Sequence, residues 1–213
     1  MRIRMVAAAA ACLGTLATAA QAHAATVAVN GLCFIEGQPL TAAAAGFTPG
    51  GQVNFSFDGV LADSALADGA GNITEPLVAP SLGGRLQHTF SLAAQDTSNP
   101  ALAATTKVNV TAVKIQFKPN QARPSHKVRF VVHGWLPGGT LYLHYVFHRH
   151  AKATRKLGKP KPPCGTLSKR QRFFPMRHPH TGTWTFQYDN KRKYSKATRP
   201  AYIQKVLIFR TFR

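Results

Sequence analysis

The chain has 213 residues and carries 27 Lys or Arg against seven Asp or Glu, a formal net charge of +20. The charge is divided: residues 25–112 hold two bases against six acids, a net of −4, and residues 113–213 hold 23 bases against the single acid Asp189, a net of +22. One carboxylate excludes chemistry that needs a carboxylate pair in the basic half, and a load of this sign points to an anionic partner.

The first residues read as a cleaved secretory signal. Arg2 and Arg4 form a basic start, Met5 to Ala20 an apolar run, and Ala20-Gln21-Ala22 and Ala22-His23-Ala24 are small-x-small cleavage sites. Cys12 lies inside the apolar run, which argues against a lipid anchor there. Cleavage after Ala24 leaves 189 residues, with no stretch approaching the roughly 20 apolar residues of a transmembrane helix. The expected localisation is extracytoplasmic, either secreted or held to the envelope non-covalently.

Beyond the signal the chain repeats itself. Gly46-Phe47-Thr48-Pro49-Gly50-Gly51 returns as Gly134-Trp135-Leu136-Pro137-Gly138-Gly139, 88 residues later. Before it, Leu40, Ala42 and Ala44 match Val128, Phe130 and Val132; after it, Val53, Phe55 and Phe57 match Leu141, Leu143 and Tyr145. Alternation of period two predicts a strand on each side of a Pro-Gly-Gly turn, with Phe47 and Trp135 as equivalent core plugs. Asp58-Gly59 and Asp68-Gly69-Ala70-Gly71-Asn72 read as further turns. His88 to Ala94 and Thr105 to Val113 complete the first unit, and Thr183 to Tyr188 and Tyr202 to Phe209 the second. No helix is expected after the signal.

The predicted fold class is therefore all-β: two tandem Ig-like β-sandwiches after a signal at 1–24, the first over 25–112 and the second over 113–213. Through Gly46-Phe47-Thr48-Pro49-Gly50-Gly51-Gln52-Val53 and Ala67-Asp68-Gly69-Ala70-Gly71-Asn72, the first unit resembles the Ig-like repeats of secreted bacterial surface proteins. The second resembles the C-terminal module of uncharacterised exported bacterial proteins, through Leu141-Tyr142-Leu143-His144-Tyr145-Val146 and Pro163-Cys164-Gly165. The resemblance implies an Ig-like architecture and no particular activity, since such modules serve as spacers, adhesins and carriers alike.

After the signal there are two cysteines, Cys33 and Cys164, one in each half. Export places them where a disulfide persists, and pairing would clamp the halves together; two free thiols are the alternative.

The candidate binding site is the stretch 148–180, which reads as a long connection between two strands. It holds Arg149, Lys152, Arg155, Lys156, Lys159, Lys161, Lys169, Arg170, Arg172 and Arg177 and no acid. Phe173 and Phe174 offer apolar or stacking contact there, and Lys191, Arg192, Lys193, Lys196 and Arg199 extend the basic patch. Like charges crowded together repel unless an anion neutralises them, and a polyanion gains affinity through counterion release. Expected partners are wall polymers, anionic lipid surfaces or acidic polysaccharides, with nucleic acid less favoured.

On the Leu141 strand, Leu141, Leu143, Tyr145 and Phe147 are expected to face the core, which puts His144, His148 and His150 together on the other face. Such a pair of imidazoles can hold zinc or copper, but no carboxylate or cysteine is near, so no metal or cofactor is expected. Protonation of these histidines would add positive charge below about pH 6. Cys164 lacks the flanking residues of a nucleophile site, and neither a phosphate-binding glycine loop nor an H-E-x-x-H segment occurs. The expected function is non-enzymatic: the basic domain binds an anionic envelope component and the first domain acts as a spacer. Assembly of acidic domains on basic ones is the alternative.

Overall fold

The computed structural model describes residues 24–209, so the signal reading, except for Ala24, lies outside the described residues. Among the described residues all regular elements are strands. The first unit contains β1 (Thr26–Val29), β2 (Phe34–Ile35), β3 (Pro39–Ala45), β4 (Gln52–Phe57), β5 (Val60–Leu66), β6 (Ile73–Val78), β7 (Gln87–Asp96) and β8 (Ala103–Thr111). The second contains β9 (Lys114–Lys118), β10 (Lys127–His133), β11 (Leu141–Phe147), β12 (His150–Gly158), β13 (Leu167–Arg172), β14 (Gly182–Asp189) and β15 (Tyr202–Ile208).

The sheets are β1-β3-β6 and β2-β8-β7-β4-β5 in the first unit, β9-β10-β13 and β12-β11-β14-β15 in the second. Strand for strand the two topologies coincide, except that β2, a short strand parallel to β8, has no counterpart. The chain is an all-β protein of Ig-like fold. Each pair of sheets encloses its own apolar cluster, one centred on Leu40, Val53, Phe55 and Leu92, the other on Phe130, Leu143, Tyr145 and Phe186. The cause is the period-two pattern: every strand residue matched across the 88-residue offset (Leu40, Ala42, Ala44, Val53, Phe55 and Phe57 with Val128, Phe130, Val132, Leu141, Leu143 and Tyr145) is buried.

The Pro-Gly-Gly corners share one construction. Phe47 and Trp135 are both buried. The Phe47 N–H donates to the Gly71 carbonyl, and the Trp135 N–H to that of Gly165, each at 3.2 Å. Gly71 and Gly165 have φ of +78° and +60°, and a Cβ on either would collide with the backbone carbonyl of the aromatic it supports. A polar residue opposite the strand start then ties each corner down. Asp96, paired with Val53, accepts from the Thr48 N–H at 3.0 Å. In the second unit Asn190 takes this place, accepting from Trp135 Nε1–H and donating to the Gly138 carbonyl, both at 2.8 Å.

Cys33 and Cys164 form a disulfide, 131 residues apart in sequence. It joins the β1–β2 connection of the first unit to the β12–β13 connection of the second, and it leaves Cys164 no thiolate to act as a nucleophile.

Candidate functional site

The stretch 148–180 is not one long connection. His148 and Arg149 form the two-residue turn of the β11–β12 hairpin, with φ of +49° and +69°, and β12 and β13 follow within the stretch. These are the edge strands of opposite sheets, so they run side by side along one flank of the sandwich. Phe173 and Phe174 offer no outside contact; both are buried in the core, against Tyr145, Trp184 and Phe186.

All ten predicted cations are exposed, and the register divides them. Arg170 and Arg172 of β13 pair with Arg129 and Lys127 of β10, on the solvent face of the three-stranded sheet. Lys169 pairs with the buried Phe130, and Arg155 of β12 with the buried Leu143; both therefore leave the sandwich along its open flank. Lys156 pairs with Tyr142 on the solvent face of the four-stranded sheet. Arg149 occupies the hairpin turn, Lys159 and Lys161 the β12–β13 connection, and Arg177 the segment after β13. Lys152 stands unpaired in the irregular part of β12.

A further basic surface contains cations from outside the predicted stretch. On the solvent face of β9-β10-β13, Lys118, Arg129 and Arg170 lie directly opposite one another across all three strands. Lys127 pairs with Arg172 in the next row, and Lys114 with His133 at the far end. No carboxylate stands on this face. Burial, and then the charges of Lys118 and Lys114, hold His133 below the ordinary imidazole range. Lys114, Lys118, Lys127 and Arg129 alternate with the core residues Ile115, Phe117, Val128 and Phe130. That basic–apolar alternation is the sequence signal through which they could have been found.

The three histidines do not share a face. His144 is fully buried, His148 is in the turn, stacked on Phe147 with ring centroids 4.1 Å apart, and His150 begins the returning strand. The two-residue turn ends the alternation on which the grouping depended. Among the described residues no three His, Cys, Asp or Glu side chains come together as metal ligands.

His144 belongs instead to a buried polar network with Asp189, the only acid of this half. Register places Tyr142 and His144 of β11, Thr154 and Lys156 of β12, and Gln187 and Asp189 of β14 on the solvent face of the four-stranded sheet. The segment between β14 and β15 then folds over them, bringing Tyr194 to 5.7 Å from the His144 ring. His144 Nδ1 is 2.8 Å from Thr154 Oγ1 and Nε2 is 3.2 Å from Asp189 Oδ1. Asp189 also accepts from Gln187 Nε2 and from the Lys191 N–H, both at 2.8 Å. No sequence signal marks this network, because His144 and Asp189 are 45 residues apart and meet only through the β11–β14 register.

No protein-family model matches the chain, and no curated protein matches it. Among solved structures it is similar to fibronectin(III)-like modules of Clostridium thermocellum CbhA, at 13% identity and a TM-score of 0.29, over 85% of this chain and 93% of that one. It is similar also to the human OSCAR ligand-binding domain, at 9% identity and a TM-score of 0.35, over 87% and 98%. No helix among the described residues is long and apolar enough to cross a membrane.

Proposed function

We propose that this is a non-enzymatic exported protein whose second domain binds an anionic polymer of the cell envelope, with the first domain as a spacer. The binding surface is the solvent face of β9-β10-β13, continued around the flank by β12 and β13. The observation that carries the reading is the cross-strand row Lys118–Arg129–Arg170, three cations in direct register. Like charges directly opposite destabilise a sheet, so the row is maintained against a folding cost that a bound polyanion removes.

The test is retention of the full oxidised chain on a teichoic-type phosphate polymer, heparin and anionic vesicles, with salt stepped from about 50 to 300 mM. Arg129→Gln with Arg170→Gln should lower the slope of log affinity against log salt by about 1.5 to 2. An unchanged slope overturns the assignment of this face.

The assembly reading keeps one observation in its favour. The acidic domain exposes Val60, Leu61 and Leu66 on the edge strand β5, and the basic domain exposes Ile203 and Leu207 on the edge strand β15. Concentration-dependent mass in light scattering, lost on Leu61→Lys, would favour it over a monomeric adhesin.

A further inference from the structure

We propose that the recess above the His144 network is a discrete site for one tetrahedral dianion, a sulfate or phosphate group, and that the dianion binds together with one proton taken up by His144. The recess lies on the opposite sheet from the basic face and stands or falls separately from it. It has a volume of about 450 Å³ and is lined by Tyr142, Thr154, Lys156 and Arg192. Two cations and two hydroxyls, with no acid on the wall, are a suitable donor set for an oxyanion.

The proton requirement follows from the hydrogen bonds beneath the recess. Asp189 is surrounded only by donors: the Gln187 amide, the Lys191 N–H and His144 Nε2. Asp189 is therefore the ionised acceptor, and Nε2 of His144 carries a hydrogen. The opposite nitrogen, Nδ1, faces the Thr154 hydroxyl at 2.8 Å. While the imidazole is neutral, Nδ1 is an acceptor and takes the Thr154 hydrogen. Thr154 Oγ1 then turns only its lone pairs to the recess and cannot donate to an anion held there by Lys156 and Arg192. A proton on Nδ1 reverses the bond: the ring donates to Thr154 Oγ1 and the hydroxyl hydrogen turns outward as a donor.

Each anion that engages Thr154 thus draws one proton onto His144, where the buried carboxylate of Asp189 balances it. The charged and titratable groups around the ring and the recess are Asp189 of β14 and Tyr194 of the covering segment beside the ring, and Lys156 of β12, Tyr142 of β11 and Arg192 on the recess wall. The coupling is reciprocal by linkage.

Calorimetric titration of the full chain with sulfate tests this, because sulfate keeps its charge throughout the range in which imidazoles titrate. Runs near neutral pH, in two buffers of different ionisation enthalpy, should show uptake of about one proton per sulfate bound. Affinity should rise about tenfold for each unit by which the pH is lowered across the range where that uptake is complete. Thr154→Val, a near-isosteric change on an exposed edge strand, should weaken binding and abolish proton uptake. Arg192→Gln should weaken binding and leave some uptake, and Lys107→Gln, an equal charge loss in the first domain, should change neither. A sugar sulfate and a sugar phosphate in parallel titrations separate the two sources of the group. Binding without proton uptake, or uptake that survives Thr154→Val, overturns the proposal, as does the absence of saturable binding. None of these outcomes involves Arg129 or Arg170, so the basic-face reading is judged independently.

Discussion

Apart from β2, the two sandwiches have the same strands, the same corner and comparable interiors, yet they use ionisable side chains in opposite ways. In the first, acids are fasteners. Glu36 accepts from the Ser81 hydroxyl and the Leu82 N–H, Asp58 from the Ser91 N–H, Asp68 from the Ala70 and Asn72 N–H groups, and Asp96 from those of Thr48, Ser98 and Asn99. Those hydrogen bonds hold all four carboxyls below their ordinary range. In the second, Asp189 alone has such a role, and the only ion-pair contacts among the described residues are His88–Asp58 and His144–Asp189. The Lys and Arg side chains fasten almost nothing. A scaffold that folds in the first domain without them does not need them in the second, so their placement has to be explained by what they meet.

The disulfide is the sharpest way to break this comparison, because it is a second covalent link between two units that the backbone already joins. Replacing Cys33 and Cys164 together by Ser should destabilise the chain by about 5 kcal/mol, as expected for a loop this long. It should also let the domains melt separately in calorimetry. A single unshifted transition would mean that the domains are held together by packing alone. The bond also makes isolated halves a poor test of binding, since each would carry an unpaired thiol.

The corners come next. Gly71→Ala and Gly165→Ala should each cost about 2 to 5 kcal/mol, from an unfavourable positive φ and from collision with a backbone carbonyl. The two losses should agree within about 1 kcal/mol in denaturant titrations. A large difference would show that the corners are similar in shape but not in mechanics.

A smaller effect separates the hairpins. The first domain turns at Asp58-Gly59 and the second at His148-Arg149, both with two positive φ values. Arg149→Gly should therefore stabilise the second domain by about 1 kcal/mol, whereas Gly59→Ala should destabilise the first. If Arg149→Gly is destabilising, the arginine is making a contact that offsets its strain.

These hairpins also mark where the sequence was readable and where it was not. Asp-Gly is a turn signal, because aspartate tolerates and glycine favours positive φ. His-Arg is not, so β12 went unseen and residues 148–180 read as one connection. β12 hid itself a second way: of its nine residues only Leu157 is buried, so the period-two pattern that revealed β3, β4, β10 and β11 is missing. The alternating part of the core was legible to the residue, since burial on one sheet face imposes period two, whereas Phe173 and Phe174, outside any alternation, were read as surface contacts and are buried. The basic face was half legible. The pile-up of charge in 148–180 stood out, but the row through Lys118 and Arg129 depends on which strands lie adjacent, and local pattern does not encode that.

The least costly difference between the domains is at the strand end that ties each corner. Asp96 and Asn190 occupy equivalent places, but only Asp96 titrates. Hydrogen bonds from Thr48, Asn99 and Ser98 lower its carboxyl to about 2. A depressed carboxyl contributes stability that is complete above its unfolded value, near 4, and is lost as pH falls through about 2. Protonation removes an acceptor from three backbone donors in the first domain, whereas the Trp135–Asn190–Gly138 tie in the second has nothing to protonate. Between about pH 4 and pH 2, the amide signals of Thr48, Ser98 and Asn99 should shift and lose exchange protection together, while the Trp135 indole N–H stays unchanged. Asp96→Asn should flatten this response at the cost of a weaker corner at neutral pH. A Trp135 signal that moves in step with Thr48 would mean that acid acts on the molecule as a whole through its net charge, and not through the one corner built on a carboxylate.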